Sequence, residues 1–213
     1  MKTPDEHFNA LFASYPALQP LREKIGQAFE LLRECAAANA TILVCGNGGS
    51  AADSEHIVGE LMKGFYLKRP LSKEDKENFR ALPGGEAIAD KLQCGIRAIS
   101  LVSQSALISA YANDVDASLV FAQQVYAYAS APQDVLIALS TSGNSLNVVN
   151  AAIAAKAAGM RVLSITGASG GKLAARSDVA VCLPAESPAQ VQELTLPVYH
   201  TLCAMLEAAF FSE

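Results

Sequence analysis

The chain has 213 residues, 51% of them hydrophobic and only 17% charged, with 16 basic against 21 acidic side chains and a net charge of −5. That composition excludes disorder and argues against broad binding to a phosphate backbone, and 7% aromatics with no Trp leave little material for stacking exposed bases. The mean hydropathy of +0.24 is high for so little charge, so some apolar surface is expected to be covered by other copies of the chain.

Residues 5–39 carry apolar positions at helical spacing, Phe8, Leu11 and Phe12 and then Leu21, Ile25, Phe29 and Leu32, with Pro16 and Pro20 between the runs. Two leading helices are expected. TILVC, ending in GNGGS, reads as a strand and glycine turn, and a helix follows over 51–66. The stretch 67–92 concentrates charge, Pro70, Pro83 and Gly84-Gly85, and predicts a partly helical surface insertion. RAISLV is the second expected strand, SALISAYA a short helix, 118–130 another helix, and DVLIALS a third strand whose unbroken apolar run suits burial on both faces. After STSGNS come a helix over 146–158 closed by Gly159, the strand RVLSIT, a turn and short helix in GGKLAARS, the strand VAVCLP, and an apolar helix over 189–211. Pro197 in that last helix is expected to bend it or shift its start.

Alternating strands and helices without hairpin signals predict one α/β domain over 1–213, a three-layer sandwich with a five-stranded parallel sheet of flavodoxin-like or Rossmann-like type, preceded by helices over 1–39. No uninterrupted apolar run reaches the roughly 18 residues of a membrane span, and MKTPDEHFNA lacks the apolar core of a signal peptide, so a cytoplasmic protein without a membrane partner is expected. Cys35, Cys45, Cys94, Cys182 and Cys203 are odd in number and widely spaced, with no CxxC pair, and read as reduced core residues.

Ligands of open parallel sheets sit beyond the carboxyl ends of the strands. Two turns at such ends stand out. In the first, Asn47, Gly48, Gly49 and Ser50 combine backbone freedom, a hydroxyl and the start of a helix dipole. In the second, Ser140, Thr141, Ser142 and Ser145 give four hydroxyls at another helix start, more than the one that capping needs. Ordinary turn and cap chemistry accounts for the first turn alone; the two together resemble a phosphate cradle built without lysine. Neither GK[ST] nor GxGxxG is in place, which favours a small phosphate ester over a nucleotide cofactor.

Of the three histidines, His7 lies in a polar segment and is expected to be exposed. His56 and Glu60 are spaced i, i+4 on one helix face, and Gln192 and His200 fall within about 80° of each other on the last helix. A plain surface pair and a core histidine remain the ordinary readings of these residues. Their place beyond a phosphate-like turn is what makes them candidates.

Taken as a set, CGNGGSAADSEHIVGEL, LSTSGNSLNVVNAA, ITGASGGKLA and QELTLPVYH resemble the sugar isomerase (SIS) family, in its phosphoheptose isomerase branch. The resemblance implies conversion of sedoheptulose 7-phosphate to D-glycero-D-manno-heptose 7-phosphate, a lipopolysaccharide precursor, through an enediol. By position it implies that Ser50, Ser140, Thr141, Ser142 and Ser145 hold the phosphate with Asn47 in the same turn, that Glu60 and His200 transfer protons, and that His56, Glu60, Gln192 and His200 bind Zn2+. Glu60 is the expected carbon base, its pKa open to tuning toward neutrality by an apolar wall or the metal, and His200 the partner acid, with the exchanged roles also compatible with the sequence. The chain departs from many relatives where they carry acids, at Gln104 and Ala189, and in the length of 67–92. A related subgroup is a tetrameric scaffold that binds the bacterial replication initiator, an alternative that need not keep the acid–base residues found here. The resemblance also implies a homotetramer; the apolar excess points to the leading and last helices as its contacts, the alternative being that they cap the chain's own sheet, and Glu60 and His200, on separate helices, could come from different chains.

Overall fold

The computed structural model describes residues 2–211. Helix α1 (Pro4–Ser14) opens on a capping box: the Thr3 hydroxyl accepts the N–H of Glu6 while the Glu6 carboxylate accepts the N–H of Thr3. Pro16 and Pro20 fall in a 3-10 stretch, Pro16–Leu21, which turns the chain into α2 (Arg22–Ala37). Strand β1 (Ile42–Cys45) leads into α3 (Gly49–Met62). The charged segment that follows holds α4 (Lys73–Arg80), none of whose residues is buried, and α5 (Gly85–Ala89).

Next come β2 (Ala98–Ser100), α6 (Ser105–Tyr111), α7 (Val120–Tyr128) and β3 (Val135–Ser140). The chain ends with α8 (Leu146–Ala157), β4 (Arg161–Thr166), α9 (Gly171–Ala174), β5 (Val179–Cys182) and α10 (Pro188–Phe211). All five strands pair in parallel in the order β2-β1-β3-β4-β5. The chain therefore reverses its direction of winding at β1 and β3, which makes the crevice between their carboxyl ends the natural ligand site.

Strand alternation divides the core. Ile42, Val44, Ile137, Leu139, Leu163 and Ile165 meet α1, α2, α3 and α10 on one face. Leu43, Cys45, Leu136, Ala138 and Val162 meet α7, α8 and α9 on the other. Burial on both faces explains the uninterrupted apolar runs of β1 and β3. Asp134 ties the strand starts together, its carboxylate accepting the N–H groups of Thr41, Ser130 and Ala131 at 2.7 to 2.9 Å.

Several expectations need correction. The leading helices and α10 do not wait for a partner: Leu11, Phe12, Ile25, Phe29, Val198 and Leu202 are buried against the chain's own sheet. Helix α3 starts two residues earlier than expected and stops at Met62, because the N–H groups of Phe65, Tyr66 and Leu67 bond to the Glu207 carboxylate. Helix α10 runs through Pro197 unbroken. It is long and apolar enough to cross a membrane by composition, but 61% of that stretch is buried inside the fold. The five cysteines are free, yet Cys94 and Cys182 are only partly buried. His7 is not simply exposed, since its ring stacks on Tyr66 at 5.6 Å.

Candidate active site

The two hydroxyl-rich turns flank the β1/β3 crevice and are joined across it. Asn47 and Asn147 exchange side-chain hydrogen bonds of 2.8 and 2.9 Å, bringing the start of α3 beside the start of α8. Gly48 sits at φ 55°, a backbone region that costs other residues strain, and the space where its side chain would lie is open. Gly143 has φ 65°, and a Cβ there would overlap the backbone of Gly170. Both glycines are thus required by shape, one by open approach and the other by close packing.

Ser145 occupies the position before α8, yet its side chain makes no capping hydrogen bond. Its hydroxyl accepts instead from Ser140 at 3.1 Å. The Ser142 hydroxyl accepts the N–H of Asn144 at 3.1 Å, which fixes the tip of the turn. A cavity of about 580 Å³ opens beside Thr141, Ser142, Asn144, Gly167 and Ser169. The Ser145 hydroxyl caps nothing at a helix start, and Thr141 and Ser142 line open space, an arrangement suited to an anion.

The second group stands further along α3. His56 Nε2 lies 3.2 Å from Glu60 Oε1 and 3.4 Å from His200 Nε2, so α10 delivers His200 to the His56–Glu60 face within a single chain. Glu60 and His200 thus reach one cluster through His56 without a residue from a second chain. Three neighbours that spacing alone did not single out complete the cluster. Tyr199 places its hydroxyl 2.9 Å from His56 Nδ1 and 3.3 Å from Asp53, and Lys63 donates to Glu60 Oε2 at 2.8 Å. Lys63 was readable as an i, i+3 partner of Glu60; Tyr199 and Asp53 meet only through tertiary packing.

Charge in the cluster differs from expectation at Glu60. Burial pushes its carboxyl up, but the hydrogen bond and charge of Lys63, followed by those of His56, hold it below the ordinary carboxylate value. Glu60 is therefore ionised at neutral pH rather than tuned toward neutrality. Burial, then the nearby His56, lowers the pKa of His200, which leaves a neutral imidazole at pH 7. An ionised carboxylate beside a neutral imidazole is a base with a proton relay.

Gln192 does not join this cluster directly. Its amide packs against Gly49, where a Cβ would overlap it, and His56 lies seven residues further along α3, about 10 Å of helix rise. Among the described residues no group of three or more His, Cys, Asp and Glu side chains is arranged to hold a metal ion. Two imidazoles, a carboxylate and an amide have the donor chemistry zinc accepts; His56 Nε2 lies within 3.4 Å of both Glu60 Oε1 and His200 Nε2, and Gln192 stands nearer the first turn. In the turn after β2, Ser103 donates to Glu55 Oε1 at 2.8 Å, so a carboxylate from α3 stands next to Gln104.

The SIS domain model matches residues 8–76 and 84–167, breaking only inside the charged segment. A phosphoheptose isomerase of Thiobacillus denitrificans is 38% identical over 206 residues, covering 95% of this chain and 92% of that protein. The solved phosphoheptose isomerase of Neisseria gonorrhoeae superposes with a TM-score of 0.73 at 32% identity, covering 94% of this chain and 95% of that one. That of Francisella tularensis gives the same TM-score at 27% identity, covering 97% and 98%.

Proposed function

The chain belongs to the SIS domain family and, within it, to the phosphoheptose isomerases, and from that membership we propose that it interconverts sedoheptulose 7-phosphate and D-glycero-D-manno-heptose 7-phosphate. The observation that carries the substrate assignment is the separation of the two groups along α3. Ser50 stands at its start, while His56 and Glu60 lie about 9 and 15 Å further along the axis. A substrate with its phosphate and its carbonyl at opposite ends of a carbon chain matches that arrangement.

In this reading the hydroxyls of Ser50, Ser140, Thr141, Ser142 and Ser145 and the helix starts hold the phosphate, with Asn47, Gly48 and Gly49 shaping the approach. Glu60 removes a proton from C1 of the ketose and returns it to C2, passing through a cis-enediol. His200 takes the proton of the C1 hydroxyl and delivers one to the C2 oxygen, so the neutral imidazole ends as it began. Gln192, beside the first turn, orients the sugar between the two ends.

Zinc is part of the proposal through donor chemistry alone. His56, Glu60, Gln192 and His200 would hold it, and when bound it would polarise the substrate carbonyl. A homotetramer is proposed as well, supported by Val115, Tyr126 and Leu146, apolar side chains more than 60% exposed on the side of the sheet away from α10. The proposed compartment is the cytoplasm, where the five unpaired cysteines stay reduced. The initiator-binding scaffold is not favoured, because it gives no reason for an ionised Glu60 facing His200.

The test is direct. Purified protein incubated with sedoheptulose 7-phosphate in deuterium oxide is expected to yield the aldose with deuterium at C2, read by NMR. Neither product nor exchange would overturn the assignment.

A further inference from the structure

Among the described residues the most deeply buried ion pair lies outside those assigned to chemistry. Arg69 and Glu207 have side chains 0% and 1% exposed, and Arg69 Nε donates to Glu207 Oε1 at 2.8 Å. Glu207 also accepts the N–H groups of Phe65, Tyr66 and Leu67 at 2.7 to 3.1 Å. Arg69 turns its two remaining nitrogens to the end of α3, donating to the carbonyls of Leu61 at 2.8 Å and Glu60 at 3.3 Å. Those carbonyls belong to the last turn of a helix, where partners within the helix run out and a cation is favoured.

Each end of the pair thus grips an element that carries a proton-transfer residue. Arg69 fixes the backbone of Glu60 itself. Glu207 sits on α10 two turns beyond His200, and by holding the Phe65 N–H it sets the Phe65 ring against the His200 imidazole, with ring centroids 5.4 Å apart. The segment 63–69 between them contains no helix or strand and is held by these bonds together with those of the Gly64 N–H to Gln93 and of the Cys94 N–H to the Arg69 carbonyl. A buried ion pair is weak evidence for stability, since an apolar pair of the same volume is often as stable or more so. Its use must then be sought in geometry.

We propose that Arg69 and Glu207 are positioning residues that set the distance and orientation between Glu60 and His200 for proton transfer. This rests on the isomerase reading for its kinetic consequence and on the coordinates for its structural one. Proton transfer is sensitive to placement, with displacements of about 1 Å costing on the order of 100-fold.

The experiment compares wild type, Glu207→Gln and the double variant Arg69→Met/Glu207→Leu, all assayed well below their melting temperatures. In Glu207→Gln, kcat is expected to fall about 10- to 100-fold with KM within about threefold. The double variant replaces the pair by apolar volume but leaves the N–H groups of Phe65, Tyr66 and Leu67 without their acceptor, so it is expected to melt below wild type and, assayed while folded, to show the same loss of kcat. A long-range nitrogen–proton NMR spectrum of the imidazoles supplies a readout independent of turnover, in which the His200 signals should shift or broaden in both variants. Wild-type kcat in the double variant, or unchanged His200 signals, would overturn the proposal. Should wild type itself show no isomerase turnover, the functional reading fails, and the imidazole spectrum alone decides whether the pair positions His200. If Glu207→Gln does not fold, the double variant carries the test.

Discussion

Ser145 separates two uses of a hydroxyl at a helix start. As the residue preceding α8 it occupies the position where Ser ordinarily caps, and losing a cap costs about 1 kcal/mol. For a domain of this size that would lower the melting temperature by about 2 to 4 °C. Here the side chain caps nothing and only accepts from Ser140, so Ser145→Ala should change the melting temperature by less than about 2 °C. A hydrogen bond to a charged phosphate, in contrast, contributes about 1.5 to 3 kcal/mol, or on the order of 10- to 150-fold in affinity. Calorimetric titration of a catalytically silent Glu60→Gln background, with and without Ser145→Ala, measures that loss for sedoheptulose 7-phosphate and for unphosphorylated sedoheptulose. The expected result is a weakening confined to the phosphorylated ligand. Equal losses for both sugars, or a fall of several degrees in melting temperature with affinity intact, would refute the cradle and leave Ser145 a cap.

Glu60→Gln and His200→Asn should each keep the fold and lower turnover by about 10²- to 10⁴-fold, as loss of general acid–base catalysis does; near wild-type turnover in a folded variant would remove that residue from the mechanism. Exhaustive chelation should lower turnover and added zinc restore it, whereas full activity of metal-free protein would leave the four donors without an ion. Asp134 has a pKa held below the ordinary value, because the N–H groups of Thr41, Ser130 and Ala131 outweigh the upward push of burial. A depressed carboxyl contributes stability above its unfolded pKa of about 3.9 and loses it as pH falls through the lower folded value. Asp134→Asn should thus cost about 3 kcal/mol at neutral pH, with the gap in melting temperature narrowing below about pH 4; a gap independent of pH would contradict the linkage.

What was legible in the sequence follows from how local each determinant is. The strands β3 and β4 announce themselves because burial on both faces demands continuous apolar runs, and Gly159 marks the end of α8 because only glycine takes its φ of 78° easily. STSGNS was visible as an excess of hydroxyls, and His56 with Glu60 as a helical spacing. The end of α3 was not legible, since the carboxylate that stops it comes from Glu207, 142 residues beyond Phe65. Nor was the direction of the Glu60 shift legible: burial was foreseeable, but Lys63 and His56 outweigh it. Nor did composition tell that α1, α2 and α10 cover the chain's own sheet, because that depends on topology.

The charge of the chain and the chemistry of the cradle explain one another. A protein with a net charge of −5 offers no long-range attraction to a dianionic sugar phosphate, so recognition has to be made at contact distance. In the proposed cradle neutral donors would do that, since serine and threonine hydroxyls, backbone N–H groups and two helix starts can hold an anion without a full positive charge. A lysine in the cradle would bind phosphate as well, but its charge would also act on the ionised Glu60 further along the same helix. Instead the ammonium that does reach Glu60 is Lys63, beyond it and on the side away from the cradle in sequence, where it favours the charged base without competing for phosphate. Length does the rest, since about 15 Å of α3 keeps the phosphate from raising the proton affinity of the carboxylate that must stay ionised. Binding and proton transfer are thus assigned to opposite ends of one helix, each with the charge state its task requires.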